Sequence, residues 1–163
     1  MNKFKTFIIL LISFILQTSV FSKIDIFGAN VNIFIPAIVA LAVFLGERVG
    51  GYSALLLGLV EDFLLTPVIG VRALSYFLIG YLVGAAGFKA KKDRLSGFGL
   101  TILASVINFI LVSLIYYLLG KKAIEIFAYL PLGLFVETIL NGLIYFIYYS
   151  IVKKVMYIPT YRI

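Results

Sequence analysis

Apolar residues gather along this chain in six long stretches, about Phe4–Phe21, Val31–Leu45, Val49–Leu65, Val68–Phe88, Gly97–Leu119 and Leu130–Val152. A membrane-spanning helix needs ~20 mostly apolar residues, with ~17 as a lower limit. Stretches of this kind predict an all-α polytopic membrane protein, a six-helix transmembrane bundle forming one integral domain over residues 1–163. The second and third stretches are short for a full span. They are expected to tilt little or to sit partly buried within the bundle.

Composition supports this pattern and removes the alternatives to it. Of 163 residues, 63% are hydrophobic and only 13% are charged, whereas soluble domains are about half apolar and about a quarter charged. No room is left for a separate soluble domain. Cysteine and histidine are both absent, which excludes disulfides, thiol nucleophiles, imidazole bases and the usual zinc or haem ligands. No metal and no cofactor is expected, and any catalysis would fall to the seven carboxylates, lysines, hydroxyls and tyrosines.

The net charge of +7 raises nucleic-acid binding, but the basic residues stand at the ends of spans rather than on one soluble face. Their placement reads as topology. With the N-terminus inside, Lys3, Lys5, Arg48, Lys89, Lys91, Lys92, Arg94, Lys153, Lys154 and Arg162 face the cytoplasm. Lys23, Arg72, Lys121 and Lys122 face outward. This asymmetry predicts that both termini are cytoplasmic. The basic run at residues 89–94 is read as a topological anchor. Phe4–Phe21 could pass for a signal peptide, but its removal would leave five spans and reverse the side of the Lys153–Lys154 pair. It is read as an uncleaved helix. Tyrosines near the ends of spans, including Tyr116, Tyr117, Tyr145, Tyr148 and Tyr149, stand where an interfacial belt would lie.

Two faces then draw attention. Gly50, Ala54, Gly58 and Asp62 recur every four residues on the third stretch, and Arg72, Tyr76, Gly80 and Gly84 do so on the fourth. Spacing by four places residues on one helical stripe, and small residues there let helix backbones approach closely in lipid. The hairpin is expected to pack face to face, or to offer these faces to a partner, with Arg72 compensating Glu61 or Asp62. Glu61 lies ~100° around the helix from Asp62 and is expected at the outer interface. The last stretch adds Glu137 and Asn141, and the fifth adds Ser105 and Asn108. On the predicted topology these groups form a polar seam in the outer half of the membrane. It serves either as interhelical glue or as a partner or ligand contact, because ionisable groups at membrane depth are costly unless paired or wetted. An aspartyl-protease reading fails for want of a second in-span aspartate, and no phosphate loop or nucleophile elbow occurs.

The glycines Gly46, Gly51, Gly58, Gly70, Gly80 and Gly84, together with Glu61-Asp62, Arg72-Ala73, Tyr76 and Tyr81, and Gln17 at the end of the first stretch, carry a resemblance. The chain resembles the bacterial rod shape-determining MreD family. The acidic residue that family members often carry after the proline of the second span is replaced here by Ala37. The resemblance implies a non-enzymatic membrane scaffold of the cell-elongation machinery that supports peptidoglycan synthesis and cell shape. Implied partners are an MreC-like protein, the RodA glycosyltransferase with its transpeptidase, MreB filaments and membrane lipid, with no nucleic acid. Gln17 joins Asp62, Arg72, Asn108, Glu137 and Asn141 as buried polar or partner-contact residues. The family is also similar in fold to the substrate-binding S-components of energy-coupling-factor vitamin transporters, which supplies the alternative function. S-components usually carry an Ala-xxx-Ala docking pair on the first helix, and Phe4–Phe21 contains no alanine.

Overall fold

The computed structural model describes residues 2–26, 29–89, 93–120 and 132–156. The described chain forms six helices: α1 (Asn2–Ser19), α2 (Phe34–Leu45), α3 (Glu47–Leu65), α4 (Val71–Lys89), α5 (Arg94–Leu118) and α6 (Leu132–Val155). A 3₁₀ turn at Phe21–Lys23 follows α1. It leads into a two-stranded antiparallel ribbon, β1 (Asp25–Ile26) and β2 (Ala29–Asn30).

Among the described residues, three segments are long and apolar enough to cross a membrane: Asn2–Lys23, Arg94–Leu118 and Gly133–Val155. The helix α2 is different. Its 12 residues rise about 18 Å, well short of the ~30 Å hydrocarbon layer. Every residue from Phe34 to Phe44 is buried, and α2 touches all five other helices. No polar side chain interrupts Ile33–Leu45, so every face of α2 can pack against apolar neighbours. Pro36 sits in its first turn, where the missing N–H would have had no intrahelical partner.

Gly46 turns the chain from α2 into α3 in a single residue. It adopts φ 88° and ψ 177°, a conformation essentially reserved for glycine. Its N–H donates to Ala42 O at 2.8 Å to close α2, and its own carbonyl accepts from Gly50 N at 2.9 Å to open α3. The third helix therefore begins at Glu47, two residues before the apolar stretch suggests, and Glu47 and Arg48 are helical.

The helix ends sort into two layers. At one end Lys5 Nζ donates to the Val155 carbonyl at 2.7 Å and Arg94 donates to Ser150 Oγ at 3.2 Å. The Glu47 backbone meets Gly84 there as well. The starts of α1, α3 and α5 thus lie with the ends of α4 and α6. The turn from α3 to α4 and the start of α2 occupy the opposite end. Of the basic run at 89–94, residues 90–92 fall outside the described residues, as do Lys121, Lys122 and Arg162.

Candidate functional site

Among the described helices the most extensive contact joins α3 to α4, and glycine makes it possible. A β-carbon on Gly58 would stand 2.5 Å from Ala73 Cα, and one on Gly80 would stand 2.5 Å from the Gly50 carbonyl oxygen. One on Gly50 would meet Ala42 Cβ at 2.6 Å, and one on Gly84 would collide with the Glu47 backbone. No side chain larger than hydrogen fits at these four positions. Ala54 is fully buried and lies opposite Gly80. These small faces are therefore closed against each other and against α2. Tyr76 leaves the stripe: its ring packs edge-on against Phe34 of α2, with centroids 6.2 Å apart.

Asp62 stands near the α3–α4 turn of this hairpin, fully buried. Its carboxylate accepts the backbone N–H groups of Gly70 (2.9 Å), Arg72 (3.0 Å) and Ala73 (3.0 Å), and the Thr66 hydroxyl at 3.2 Å. These amides open α4 and have no intrahelical acceptor. Asp62 thus caps the next helix from across the turn, and its negative charge meets the positive end of the α4 dipole. Gly70, at φ 104°, bends the backbone so that its own N–H points back at Asp62.

The Arg72 side chain pairs with Glu61 while its backbone serves Asp62. Arg72 thus engages both acids through different atoms. This corrects the expectation that Glu61 faces the outer interface. Glu61 is 2% exposed, because α4 returns alongside α3 and brings the guanidinium to it. The second Glu61 carboxylate oxygen, Oε2, is buried with no hydrogen-bond partner.

The remaining polar residues gather around the start of α2. Gln17 on α1 grips the incoming chain at two points: its Nε2 donates to the Val31 carbonyl at 2.8 Å, and its Oε1 accepts from Ile33 N at 2.9 Å. Asn32 Oδ1 accepts from Phe34 N at 3.1 Å, and Asn32 Nδ2 donates to the Tyr76 hydroxyl at 2.9 Å. The Asn32 backbone N–H donates to Asn141 Oδ1 at 3.2 Å, and Asn141 Nδ2 donates to Ser105 Oγ at 3.1 Å. Nearby, Ser75 donates to Asn108 Oδ1 at 2.7 Å, tying α4 to α5. Glu137 is half-buried one turn before Asn141 on α6 and is itself engaged.

Ser75 carries no distinguishing pattern in the sequence, and Asn32 is likewise not singled out there. The signal of Asn32 is nonetheless present: an Asn directly before an apolar helical run is a helix-start residue. The function of the cluster follows from the shortness of α2. A helix that begins inside the bundle leaves its first N–H groups away from water, and unpaired groups there cost free energy. Gln17, Asn32 and Asn141 supply acceptors for the backbone around that start.

At the other end, Arg94 lies over the rings of Phe146 and Tyr149, at 5.8 and 5.6 Å from their centroids. Lys153 lies 5.7 Å from the Tyr149 ring. Ser13 and Tyr148 share a hydrogen bond of 2.6 Å between α1 and α6.

Apolar helices closed together by glycine contacts, with buried polar side chains serving the bundle's own backbone, define a multi-pass α-helical membrane protein. Residues 1–159 match the family model for rod shape-determining protein MreD. The chain belongs to the MreD family, and is accordingly a rod-shape-determining membrane protein. No curated protein and no solved structure gives a significant match.

Proposed function

We propose that this chain is a non-enzymatic scaffold of the cell-elongation machinery. It sits in the bacterial plasma membrane with both termini cytoplasmic, binds an MreC-like protein, and through it supports peptidoglycan synthesis. The RodA glycosyltransferase with its transpeptidase and MreB filaments would join the same assembly. The observation that carries this reading is the engagement of Asp62, Gln17, Asn32 and Asn141 by backbone groups of α2 and α4. Polar residues used in this way build a rigid body, and a rigid apolar body in lipid acts through the surface it offers to neighbouring helices. The basic residues at the Lys5–Val155 end support the orientation.

The test is co-purification of the tagged chain with the MreC-like protein from detergent-solubilised membranes, together with cell shape on depletion. Retention of that protein and rounding of depleted cells are expected. Rod-shaped depleted cells with no co-purifying MreC-like protein would overturn the proposal. A thermal shift of the purified chain with one member of a vitamin panel would favour the transporter-subunit alternative instead.

A further inference from the structure

The end of the bundle away from the polar cluster holds a feature that the scaffold reading does not use. Between the first turns of α3 and the middle of α4 lies a half-enclosed cleft of ≈ 230 Å³ lined by Glu47, Arg48, Tyr52, Phe77 and Tyr81. Its aromatic wall is continuous: the Tyr52 and Phe77 rings are 6.3 Å apart, and Phe77 and Tyr81 stack at 6.1 Å. Gly51 lies against that wall, and a β-carbon there would sit 3.3 Å from both Phe77 and Tyr81.

The two charged residues are consecutive on α3, so their side chains leave the helix ~100° apart. Neither makes an ion pair or a side-chain hydrogen bond among the described residues. The cleft therefore holds an acid and a base uncommitted among the described residues, and three rings. Ring faces attract cations, a carboxylate pairs with an ammonium, and a guanidinium binds phosphate through several donors. A molecule carrying an ammonium next to a phosphate meets all of these together.

Position narrows the choice of molecule. The cleft lies at the end of the bundle that Lys5, Val155 and Arg94 mark, and Tyr52 and Tyr81 are exposed, as rings at a membrane interface are. From Tyr52, the exposed Leu56, Val60 and Phe63 continue along one face of α3 at helical spacing. They form an apolar track running away from the cleft toward the bilayer interior. We propose that the cleft binds the headgroup of a zwitterionic, ethanolamine-type phospholipid. The ammonium lies among the rings and Glu47, the phosphate lies at Arg48, and the acyl chains follow α3. A phospholipid with an anionic glycerol headgroup lacks the ammonium and meets Glu47 as a like charge.

The test uses the full-length chain reconstituted in vesicles containing equal parts of phosphatidylethanolamine and phosphatidylglycerol. Native mass spectrometry then identifies the lipids that stay bound on release. Phosphatidylethanolamine is expected to be enriched, and Glu47→Gln, Tyr52→Leu and Tyr81→Leu are each expected to lower that enrichment by roughly fivefold. Arg48→Gln is expected to reduce retention as well, while Arg94→Gln, at the same end but over Phe146 and Tyr149 and outside the cleft lining, leaves it unchanged. Tyr81→Leu and Tyr52→Leu change exposed rings only, so they decide the matter even if a variant at Glu47 folds poorly. Equal retention of the two lipids, a preference for phosphatidylglycerol, or enrichment indifferent to Glu47, Tyr52 and Tyr81 would each overturn the proposal. So would the purified chain holding no lipid, as expected if the cleft receives a basic side chain from a partner protein.

Discussion

Asp62 receives three backbone amides and a hydroxyl from one turn of chain, while Arg72, ten residues on, also holds Glu61. Removing the carboxylate leaves donors inside the bundle with nothing to accept them, each orphaned group costing ~1–3 kcal/mol. Asp62→Ala is therefore expected to lower stability by about 3 kcal/mol or more, read as a reduced midpoint in thermal unfolding of the detergent-solubilised protein. The Glu61–Arg72 pair behaves differently because each partner compensates the other. Arg72→Gln leaves a buried acid without its cation and is expected to cost about 3 kcal/mol, whereas Glu61→Gln combined with Arg72→Gln recovers much of that loss. Equal destabilisation by the single and the double variant, in the same unfolding assay, would show that the pair is not coupled.

The α3–α4 hairpin is the element on which the rest is hung. Gly58→Leu would place a branched side chain where the Ala73 backbone already stands. It is expected to separate the two helices and reduce the amount of folded protein in the membrane. Gly99, on an exposed face of α5 with nothing near its missing β-carbon, is the matched control. Gly99→Ala is expected to be neutral, or stabilising by up to ~1 kcal/mol through helix propensity. Both effects are measured by quantitative immunoblotting and unfolding midpoints. The repeat of four in Gly, Ala and Asp marked these faces as close-contact surfaces, and left open whether they met each other or a partner; the structure closes them on each other and on α2. The burial of Glu61 was not readable, since a rotation of 100° says where a side chain points but not what the next helix brings to it. The shortness of the second stretch left two outcomes open, little tilt or partial burial, and the structure gives burial, with α2 against every other described helix. A short apolar stretch looks alike whether it is a thin span or a core, and the difference lies in Gln17, Asn32 and Asn141, which come from three separate segments. The role of Asn141 in receiving the Asn32 amide depends on a contact 109 residues apart in sequence, which no local pattern encodes.

At the scale of the whole molecule, buried polar groups that serve the bundle's own backbone leave its outer surface to carry the shape-determining role we propose. A bundle of this design has one apolar helix enclosed, close contacts without side chains between α3 and α4, and charges kept at helix ends. The central claim is tested most directly in cells depleted of the native chain and supplied with Asp62→Asn at graded expression. The measurement is the cell length-to-width ratio plotted against the amount of folded variant in the membrane. If Asp62 serves the fold, the variant falls on the same curve as the unaltered chain, and rod shape returns wherever folded protein does. Round cells containing folded variant at the native level would contradict the account, because Asp62 would then perform a task beyond holding α3 to α4.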